Sequence, residues 1–427
     1  VYADEFEGPA LDLAAHRRNH DQLVVETIDI RDIYNEFGAG KQDPTALRDF
    51  VKMIYDRDPH FQYLLLLGDA SYDYRGLVNG LDYQNFVPTY QTDESLHPVE
   101  AFPSDDFYAL LSDNEGDDSL DGALDIGVGR IPCKTLSEAE AVIRKIIHYD
   151  TSPATLGDWR MRIGFAADDE DNNTHLRQAD GVATLTANNH PEFVQQKVYF
   201  DAFNQVSTPG GARYPDANEA LTNNLSQGQL VLNYLGHGGP KGWAQERVFQ
   251  VEDINKLSNF DRLPVMVTAT CSFTGFDEPS VVSAGEQALL NPSGGAIALF
   301  STVRAVYSSQ NERITREVFK KIFTRSEGER LRLGDIIRQS QNANQSDTIS
   351  SNTRKFLLFG DPAQTIAQPR YNIHLEQYNG EDINENTLDT LKALERGRLS
   401  GSIRDFNSAV INDFNGTVSI SVFDKST

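Results

Sequence analysis

The sequence is poor in residues that mark several common protein classes. It has only two cysteines among 427 residues, Cys133 and Cys271. Two cysteines are too few for a disulfide-rich scaffold, and they lack the close pairing of a zinc site. A single bridge between them remains open on the sequence alone.

Long apolar segments are also missing. The longest run, YLLLLG at residues 63–68, is far shorter than the ~20 residues that a membrane-spanning helix needs. The first residues, VYADEFEGP, do not show the basic and then apolar pattern of a signal peptide. They resemble the end of a strand, so we expect a piece of a longer protein whose export signal or anchor would lie outside this sequence.

Positive charge is scarce as well. The chain has 38 Lys and Arg against 63 Asp and Glu, which gives a formal net charge of −25. Such a charge repels nucleic-acid phosphates and anionic lipids, so we do not expect nucleic acid as a partner. The chain does contain 39% hydrophobic and 10% aromatic residues. Its length predicts two or three domains, each able to bury a core.

Helical and strand patterns alternate from about residue 8 to 365. The strands are near-continuous apolar runs, which is typical of a mostly parallel sheet covered by helices on both faces. We predict helices at residues 8–20, 44–57, 137–150, 216–225 and 312–324. Strands are predicted at residues 23–30, 62–69, 106–111, 124–132, 162–168, 195–201, 228–236, 264–271 and 294–302.

Two breaks divide this pattern into three predicted domains. The segment TSPATLGDW at residues 151–159 separates an N-terminal α/β subdomain, residues 1–152, from a second α/β subdomain, residues 153–365. From residue 366 the sequence changes to short strands with turn residues. This pattern of short strands and turns predicts the start of a β-sandwich-like domain over residues 366–427.

Two predicted strands of the second subdomain end in residues that can do chemistry. The segment VLNYLGHGG places His237 just after one strand, and VMVTATC places Cys271 at the end of the next. They are 34 residues apart, about the length of one strand-helix-strand unit, so the two strands can lie side by side. Since sites in open α/β sheets form at the carboxyl ends of strands, we expect both side chains at one edge.

This pairing suits a cysteine nucleophile and its base. A free thiol has a pKa near ~8.5 and needs a nearby base or cation to attack as a thiolate. The developing oxyanion needs backbone N–H donors; Gly238 and Gly239 would let a substrate carbonyl approach them, and the amide of Cys271 points into the same space. Taken singly, a buried cysteine is more often a small hydrophobe and a histidine beside glycines a turn residue. Cys133 keeps that ordinary interpretation.

Further motifs occur in a fixed order with these two residues. They are LLLLGDASYD (64–73), PSDDFYALL (103–111), LDIGVGRIPCKT (124–135), NYLGHGG (233–239), TATCSF (268–273) and FLLFGDPA (356–363). Together they resemble the gingipain-type (C25) cysteine peptidases, relatives of the caspases, over most of residues 1–365. The resemblance implies a caspase-like α/β catalytic unit of two subdomains, followed by an immunoglobulin-like domain of which residues 366–427 would be the start.

Within that family, the motifs around residues 103–132 and 356–363 are more similar to the sortases of type IX secretion. Such an enzyme acts at the outer membrane of Gram-negative bacteria of the Bacteroidota type, with other components of the system. It cleaves C-terminal sorting domains from secreted cargo proteins and helps to attach the new end to anionic lipopolysaccharide. The implied chemistry needs no cofactor: Cys271 attacks the scissile carbonyl, and His237 activates the thiol and protonates the leaving amine. The amides of Gly238 and Cys271 would hold the oxyanion. Acyl transfer to an amine would make the enzyme a transpeptidase.

The resemblance also assigns supporting roles. An acid at the end of the first strand of the second subdomain would orient the base, and Asp168 is the candidate, with Asp169 as the alternative. Thr174 or His175 falls near the acid with which arginine-specific gingipains bind a basic side chain. This departure counts against arginine or lysine specificity.

Four residues are predicted to shape the substrate cleft. Trp243 would wall the pocket, with ordinary packing as the alternative, and Gly239, Ser301 and Thr302 would line the cleft. The acidic run SDNEGDDSLDG at residues 112–122 is a candidate for a structural calcium ion because gingipains bind calcium. It lacks the EF-hand spacing, and a solvated turn is the alternative.

Two other functions compete with the sortase hypothesis. A general secreted gingipain-like protease would turn over peptides rapidly and with arginine selectivity. A catalytically inactive peptide-binding relative would have His237 or Cys271 turned into the core. The sequence alone leaves these alternatives open.

Overall fold

A computed structural model describes residues 1–78, 85–94, 97–117, 120–326, 328–343, 351–383, 396–405, 408–416, 418 and 420. Within these ranges the α-helices are α1 (Glu7–His20), α2 (Ile30–Phe37), α3 (Pro44–Arg57), α4 (Leu136–Thr151), α5 (Glu170–Asn189), α6 (Pro215–Gln227), α7 (Val251–Ile254), α8 (Ala284–Leu290), α9 (Ser308–Lys321), α10 (Leu333–Ala343) and α11 (Ser351–Arg354). Short 3-10 helices lie at Asp4–Phe6, Asp105–Ala109, Pro153–Thr155, Asp158–Met161 and Phe200–Ala202.

The described strands are mostly short. They are β1 (Tyr63–Leu67), β2 (Tyr90–Gln91), β3 (Pro103–Ser104), β4 (Gly127–Ile131), β5 (Arg162–Ala167), β6 (Val194–Tyr199), β7 (Val206–Thr208), β8 (Gly211–Arg213), β9 (Val231–Leu235), β10 (Gly238–Gly239), β11 (Gly242–Trp243), β12 (Phe249–Gln250), β13 (Val265–Ala269), β14 (Ala298–Thr302), β15 (Arg325–Ser326), β16 (Glu329–Arg330), β17 (Phe356–Phe359), β18 (Asn372–Tyr378), β19 (Glu381–Asp382) and β20 (Leu399–Arg404).

Eight of these strands form one sheet in the order β1-β4-β17-β14-β13-β9-β5-β6. Every neighbouring pair is parallel except β14 and β17, which are antiparallel. The predicted α/β fold with a mostly parallel sheet is therefore confirmed. All residues of β9, β13 and β14 are buried, which is why these strands read as continuous apolar runs.

Capping side chains fix where several helices begin. Asp43 accepts the N–H of Thr45 at the start of α3, where Pro44 fills the first turn. Thr135 and Glu138 form a reciprocal capping box at the start of α4. The predicted helices at residues 8–20, 44–57, 137–150 and 216–225 match α1, α3, α4 and α6 to within two residues. The predicted helix at 312–324 corresponds to α9, which begins earlier, at Ser308.

The strand predicted at residues 23–30 is wrong. That position beside β1 is held by the first residues of the chain, because Tyr2 bridges both Leu67 and Asp29. Residues 23–30 contribute only the isolated bridge at Asp29, and Val24 is 94% exposed. A run of apolar residues without a partner strand stays irregular.

The strand predicted at residues 106–111 is also wrong, since residues 105–109 form a 3-10 helix. Two buried ion pairs accompany this turn. Asp105 pairs with Arg130 at 2.6 and 2.7 Å, and the next carboxylate, Asp106, lies 3.2 Å from Arg354. Adjacent residues of a strand would point these two carboxylates to opposite faces.

The chain forms two compact units. The first comprises residues 1–324 and 330–367 and contains the eight-stranded sheet. The second comprises residues 325–329 and 368–427, and its described strands form an antiparallel sheet in the order β19-β18-β20. The immunoglobulin-like domain expected from residue 366 stays a prediction.

The domain boundary predicted at residues 152 and 153 stays a prediction too. Strands β1 and β4 lie before it in the chain, and the other six strands of the large sheet lie after it. Strand β17 joins the two groups because it pairs with β4 on one side and β14 on the other. In the described part of the chain, no helix has the length and apolar character required to cross a lipid bilayer.

A buried lysine of α4 binds the end of α8 and the segment that leads to β14. The Nζ of Lys145, in α4, donates hydrogen bonds to the carbonyls of Leu289, Gly294 (3.0 Å) and Ala296 (3.1 Å). The side chain is fully buried. Burial lowers the pKa of Lys145 to about 7.

Candidate active site

The strand register brings His237 and Cys271 to the same edge of the sheet. Leu235, the last residue of β9, pairs with Ala269, the last residue of β13. His237 and Cys271 each follow two residues later, and the Gly236 N–H still lies 3.5 Å from the Ala269 carbonyl. Both residues are partly exposed, with 40% of the His237 side chain accessible. As expected, the neighbouring strands β9 and β13 therefore end at the same edge of the sheet.

The backbone of His237 is held by three hydrogen bonds. Its N–H donates to Asp168 Oδ2 at 2.8 Å. Its carbonyl accepts from the Tyr234 hydroxyl at 2.7 Å and from the Ala244 N–H at 2.9 Å. Because donor and acceptor are both engaged, the loop that carries the imidazole has a fixed position.

Asp168 therefore contacts the backbone of His237 in this structure. It follows β5 and is fully buried, and its Oδ1 also accepts the N–H of Asp169 at 3.1 Å. Burial raises the pKa of Asp168 to about 7, although the hydrogen bond from His237 opposes the increase. Its position fixes the loop, whereas the resemblance to gingipains implied that it orients the imidazole ring.

The carboxylate that reaches the imidazole is Asp171. Its Oδ2 lies 3.1 Å from His237 Nε2, whereas the nearest oxygen of Glu170 lies 4.0 Å away. With Nε2 bonded to Asp171, Nδ1 is the ring nitrogen left to accept a proton from a thiol. Sequence reasoning missed Asp171, which is the last of four successive acidic residues.

An unusual turn places Asp171 there. Asp171, Asn172 and Asn173 all have left-handed backbones, with φ of 57°, 54° and 61°. Each such residue costs about 1–3 kcal/mol unless its surroundings hold it. The neighbours of the turn supply that support, since Asp169 accepts from the Tyr214 hydroxyl at 2.6 Å and Glu170 accepts from Gln245 at 3.1 Å.

Thr174 and His175 lie directly after this turn. The Thr174 hydroxyl donates to the carbonyl of Asp171 at 2.6 Å, so it stabilises the turn. His175 is 5% exposed and packs edge-on against the ring of His237, with centroids 5.1 Å apart and planes at 87°. Burial lowers the pKa of His175. His175, which the sequence places near the specificity acid of arginine-specific gingipains, thus packs against His237, the candidate base.

Cys271 lies at the start of a sharp turn. Ser272 has a left-handed backbone with φ of 50°, and its N–H donates to the carbonyl of Arg304 at 3.1 Å. The Sγ of Cys271 lies 3.9 Å from the Val306 carbonyl. Cys133 differs because it is fully buried, and burial raises its pKa well above the usual range. Both cysteines are free thiols, so the bridge left open by the sequence is absent.

The two glycines after His237 have different surroundings. A Cβ at Gly238 would lie 2.6 Å from Thr270 Oγ1 and 2.9 Å from the Gly242 carbonyl, so a side chain does not fit there. A Cβ at Gly239 would have nothing within 4 Å. Gly239 therefore borders open space, as a substrate cleft requires, and Gly238 permits close packing between the two candidate catalytic loops.

The sequence model of peptidase family C25 matches residues 1–367. This chain belongs to peptidase family C25. No curated protein sequence gives a significant match.

Solved structures of gingipains share the C25 fold of this chain. The complex of the RgpB pro- and mature domains from Porphyromonas gingivalis aligns with a TM-score of 0.67 and 16% identity, over 88% of this chain and 81% of that chain. The Arg-specific cysteine proteinase gingipain R (RgpB) aligns with a TM-score of 0.67 and 18% identity, over 87% and 79%. Dimeric latent PorU from Porphyromonas gingivalis gives a TM-score of 0.49 and 25% identity, over 96% of this chain and 33% of that chain.

Trp243 of the C25 chain occupies the core rather than a pocket wall. It is fully buried and stacks on Tyr234, with ring centroids 4.2 Å apart and planes at 6°. It also contacts Phe249 and Phe273. Because Tyr234 bonds to the His237 carbonyl, Trp243 supports the histidine loop from below and does not face a substrate.

Ser301 and Thr302 do not line the C25 cleft either, since both are fully buried. Ser301 Oγ accepts hydrogen bonds of 2.8 Å from the hydroxyls of Thr268 and Thr274. The Thr302 hydroxyl donates to the carbonyl of Thr270. These residues hold the strand end that leads to Cys271.

Three groups of side chains in the described ranges are close enough to share a metal ion. They are Asp171 with His175 and His237, Asp168 with Asp169 and Glu246, and His16 with His20, Asp21 and Asp150. The calcium site expected at residues 112–122 falls partly on residues 118 and 119, which lie outside the described residues. That site stays a prediction.

Proposed function

We propose that this C25 chain is a cysteine endopeptidase with Cys271 as nucleophile and His237 as general base. The observation that carries the proposal is the β9 and β13 register, which ends both loops at one exposed edge in a chain of a peptidase family. The partial exposure of both side chains favours this function over an inactive binding relative.

The geometry supports a specific division of labour. His237 Nδ1 takes the thiol proton, and the thiolate of Cys271 attacks the carbonyl carbon of the scissile peptide bond. The imidazolium is stabilised by Asp171 at Nε2 and returns the proton to the leaving amine as the C–N bond breaks. Water or another amine then attacks the thioester and releases Cys271.

The developing oxyanion needs N–H donors. We assign the amides of Gly238 and Cys271 to this role, because Gly239 opens the adjacent space and Gly238 packs closely against the Cys271 loop. Asp168, Tyr234 and Trp243 act as positioning residues through the backbone of His237.

Replacement of the nucleophile tests this proposal. The variant C271A should lose peptide hydrolysis and iodoacetamide labelling of the native protein, with an unchanged circular dichroism spectrum. The matched control is C133A, which removes the buried thiol and should retain both. Hydrolysis by C271A at the wild-type rate would refute the assignment.

We further propose that the substrates are secreted cargo proteins with C-terminal sorting domains. The enzyme would act at the cell surface beside other outer-membrane components of type IX secretion, with an amine of anionic lipopolysaccharide as acceptor. The motifs at residues 103–132 and 356–363 support this proposal. Mass spectrometry of cargo termini from cells that carry wild-type or C271A enzyme tests both the cut site and the attached group. Unprocessed cargo is expected with C271A, and normally processed cargo would contradict the sortase role.

A general protease with basic specificity is the second candidate. One observation favours it: Asp171 and Glu170 place two partly exposed carboxylates beside His237, where a lysine or arginine side chain could bind. A peptide panel that varies the residue before the cleaved bond separates the two candidates. Rapid cleavage selective for arginine or lysine would favour the general protease.

A further inference from the structure

We propose that Asp171, His175 and His237 form a site for a divalent transition-metal ion, best suited to Zn²⁺, and that metal binding switches off the peptidase. The binding half of this inference depends only on the three side chains. The inhibition half rests on the proposed function of His237.

The distances fit a metal with short bonds. Asp171 Oδ2 lies 3.1 Å from His237 Nε2 and 3.3 Å from His175 Nε2. Tetrahedral Zn²⁺ with bonds of about 2.0–2.1 Å separates its ligand atoms by about 3.3 Å. The three ligand atoms all lie within 4.8 Å of one another, so the two imidazoles need to approach by at most about 1.5 Å to reach the tetrahedral spacing.

His175 provides an independent indication of a ligand. It is 5% exposed, and neither ring nitrogen has a hydrogen bond of good geometry within the described residues, although the side chains of Gln178 and Asp171 lie close enough to raise its pKa against the effect of burial. A buried polar group without a partner costs about 1–3 kcal/mol. Its Nε2 faces Asp171 at 3.3 Å, and a metal ion between them would satisfy it.

The ligand types match the ion as well. Two imidazoles and one carboxylate form a three-ligand set with an open fourth position, as in zinc sites that retain a water molecule. Asp171 is 55% exposed, so an ion can enter from solution. Asp169 and Glu170 directly precede it in sequence, and their carboxylates make the local potential attractive to cations.

The other two groups fit such an ion less well. Between His16 and Asp150, the guanidinium of Arg17 already binds Asp21 and Asp150 at 2.8 Å each, which supplies the positive charge. The group of Asp168, Asp169 and Glu246 offers carboxylates only. Within the described chain, the histidine pair at the active site is therefore the best match for Zn²⁺.

Occupancy of this site would block the base. A metal on Nε2 of His237 leaves the proton of the neutral imidazole on Nδ1, so Nδ1 has no lone pair for the thiol proton. The ion would also replace the Asp171 hydrogen bond to the ring. Removal of the metal by a chelator restores the lone pair on Nδ1 and the hydrogen bond between the ring and Asp171, which makes the inhibition reversible.

Direct binding is the first test. Co²⁺ absorption and Zn²⁺ calorimetry on the full chain carrying C271A should show one site that does not involve a thiolate. In that background H175A and D171A should each bind at least tenfold more weakly. Two variants are needed because His175 is buried and its loss could disturb the fold, whereas Asp171 is largely exposed. The matched control is H60A, which removes an exposed histidine and should bind like its parent.

Inhibition is the second test, with Cys271 present. Zn²⁺ should slow both peptide hydrolysis and alkylation of Cys271, and a chelator should reverse both effects. The Zn²⁺ concentration for half inhibition should rise at least tenfold in H175A, measured on whatever activity that variant retains. Equal zinc sensitivity in H175A, or unchanged binding in H175A and D171A, would overturn the proposal. If no peptide or cargo is cleaved but cobalt binding depends on His175, the metal site stands and the proposed function fails.

Discussion

The paired glycines after His237 allow a prediction from geometry alone. In G238A the new methyl group would lie 2.6 Å from Thr270 Oγ1 and 2.9 Å from the Gly242 carbonyl. Part of that clash is with backbone, which cannot rotate away. Overpacking of this kind costs about 1–3 kcal/mol in the free energy of unfolding. In G239A the methyl group meets nothing within 4 Å, so the free energy should change by less than about 0.5 kcal/mol.

The same comparison predicts activity. Relief of the clash in G238A shifts Gly238 away from the Thr270 side chain, next to Cys271, and from the Gly242 carbonyl of its own hairpin. A displacement approaching 1 Å can cost about 10²-fold in rate. We expect kcat/KM to fall by about 10- to 100-fold in G238A. In G239A any effect should appear in KM, because the methyl group enters only the space for substrate.

Urea unfolding, followed by tryptophan fluorescence, measures the stability difference. Both tryptophans, Trp159 and Trp243, are fully buried, so unfolding changes their emission. The double variant G238A/T270A should recover part of the lost stability, because it removes the nearer contact and Thr270 Oγ1 has no hydrogen-bond partner within the described residues. Equal destabilisation by G238A and G239A would refute the reasoning.

Four further outcomes are expected. D171N should lower kcat/KM by about 10- to 100-fold, because a hydrogen bond to a charged group contributes about 1.5–3 kcal/mol, whereas E170Q should stay near wild type in the same assay. W243F should destabilise the protein by about 1–2 kcal/mol in urea and leave KM unchanged, and a raised KM would restore the pocket-wall role. T302V should cost about 1 kcal/mol of stability through the lost hydrogen bond, with no change in peptide selectivity. The pKa of Lys145 is lowered to about 7 in the folded state, so as the pH falls the unfolded state binds a proton at this lysine before the folded state does. Wild-type stability should therefore rise between pH 7 and pH 9 relative to K145M, and parallel pH profiles of the urea midpoint would contradict this.

The arrival of the His237 and Cys271 loops at one edge of the sheet could be predicted because it depends on strand pattern and spacing. Apolar runs identified β9 and β13, and parallel neighbours necessarily end at the same edge. Asp171 could not be predicted in this way. It reaches the imidazole only because three successive residues adopt left-handed backbones, and four adjacent carboxylates gave no basis for choosing among them.

Burial explains the other differences. Ser301 and Thr302 end β14 and Trp243 lies shortly after β9, as cleft residues would, but all three are fully buried. The sequence does not indicate the stack of Trp243 on Tyr234 or the hydroxyl pairs of Ser301. The irregular segment at 23–30 was predicted to be a strand of the sheet. The place beside β1 is instead taken by Val1 to Ala3, the first residues of the chain.

The position of β17 has a consequence for biosynthesis. β1 and β4 are made first, and β17 comes roughly 200 residues later, yet β17 is the strand that joins them to the rest of the sheet. A growing or truncated chain that ends before Phe356 cannot close the sheet that supports the His237 and Cys271 loops. Completion of the sheet beneath the His237 and Cys271 loops is thus tied to synthesis of the chain as far as β17.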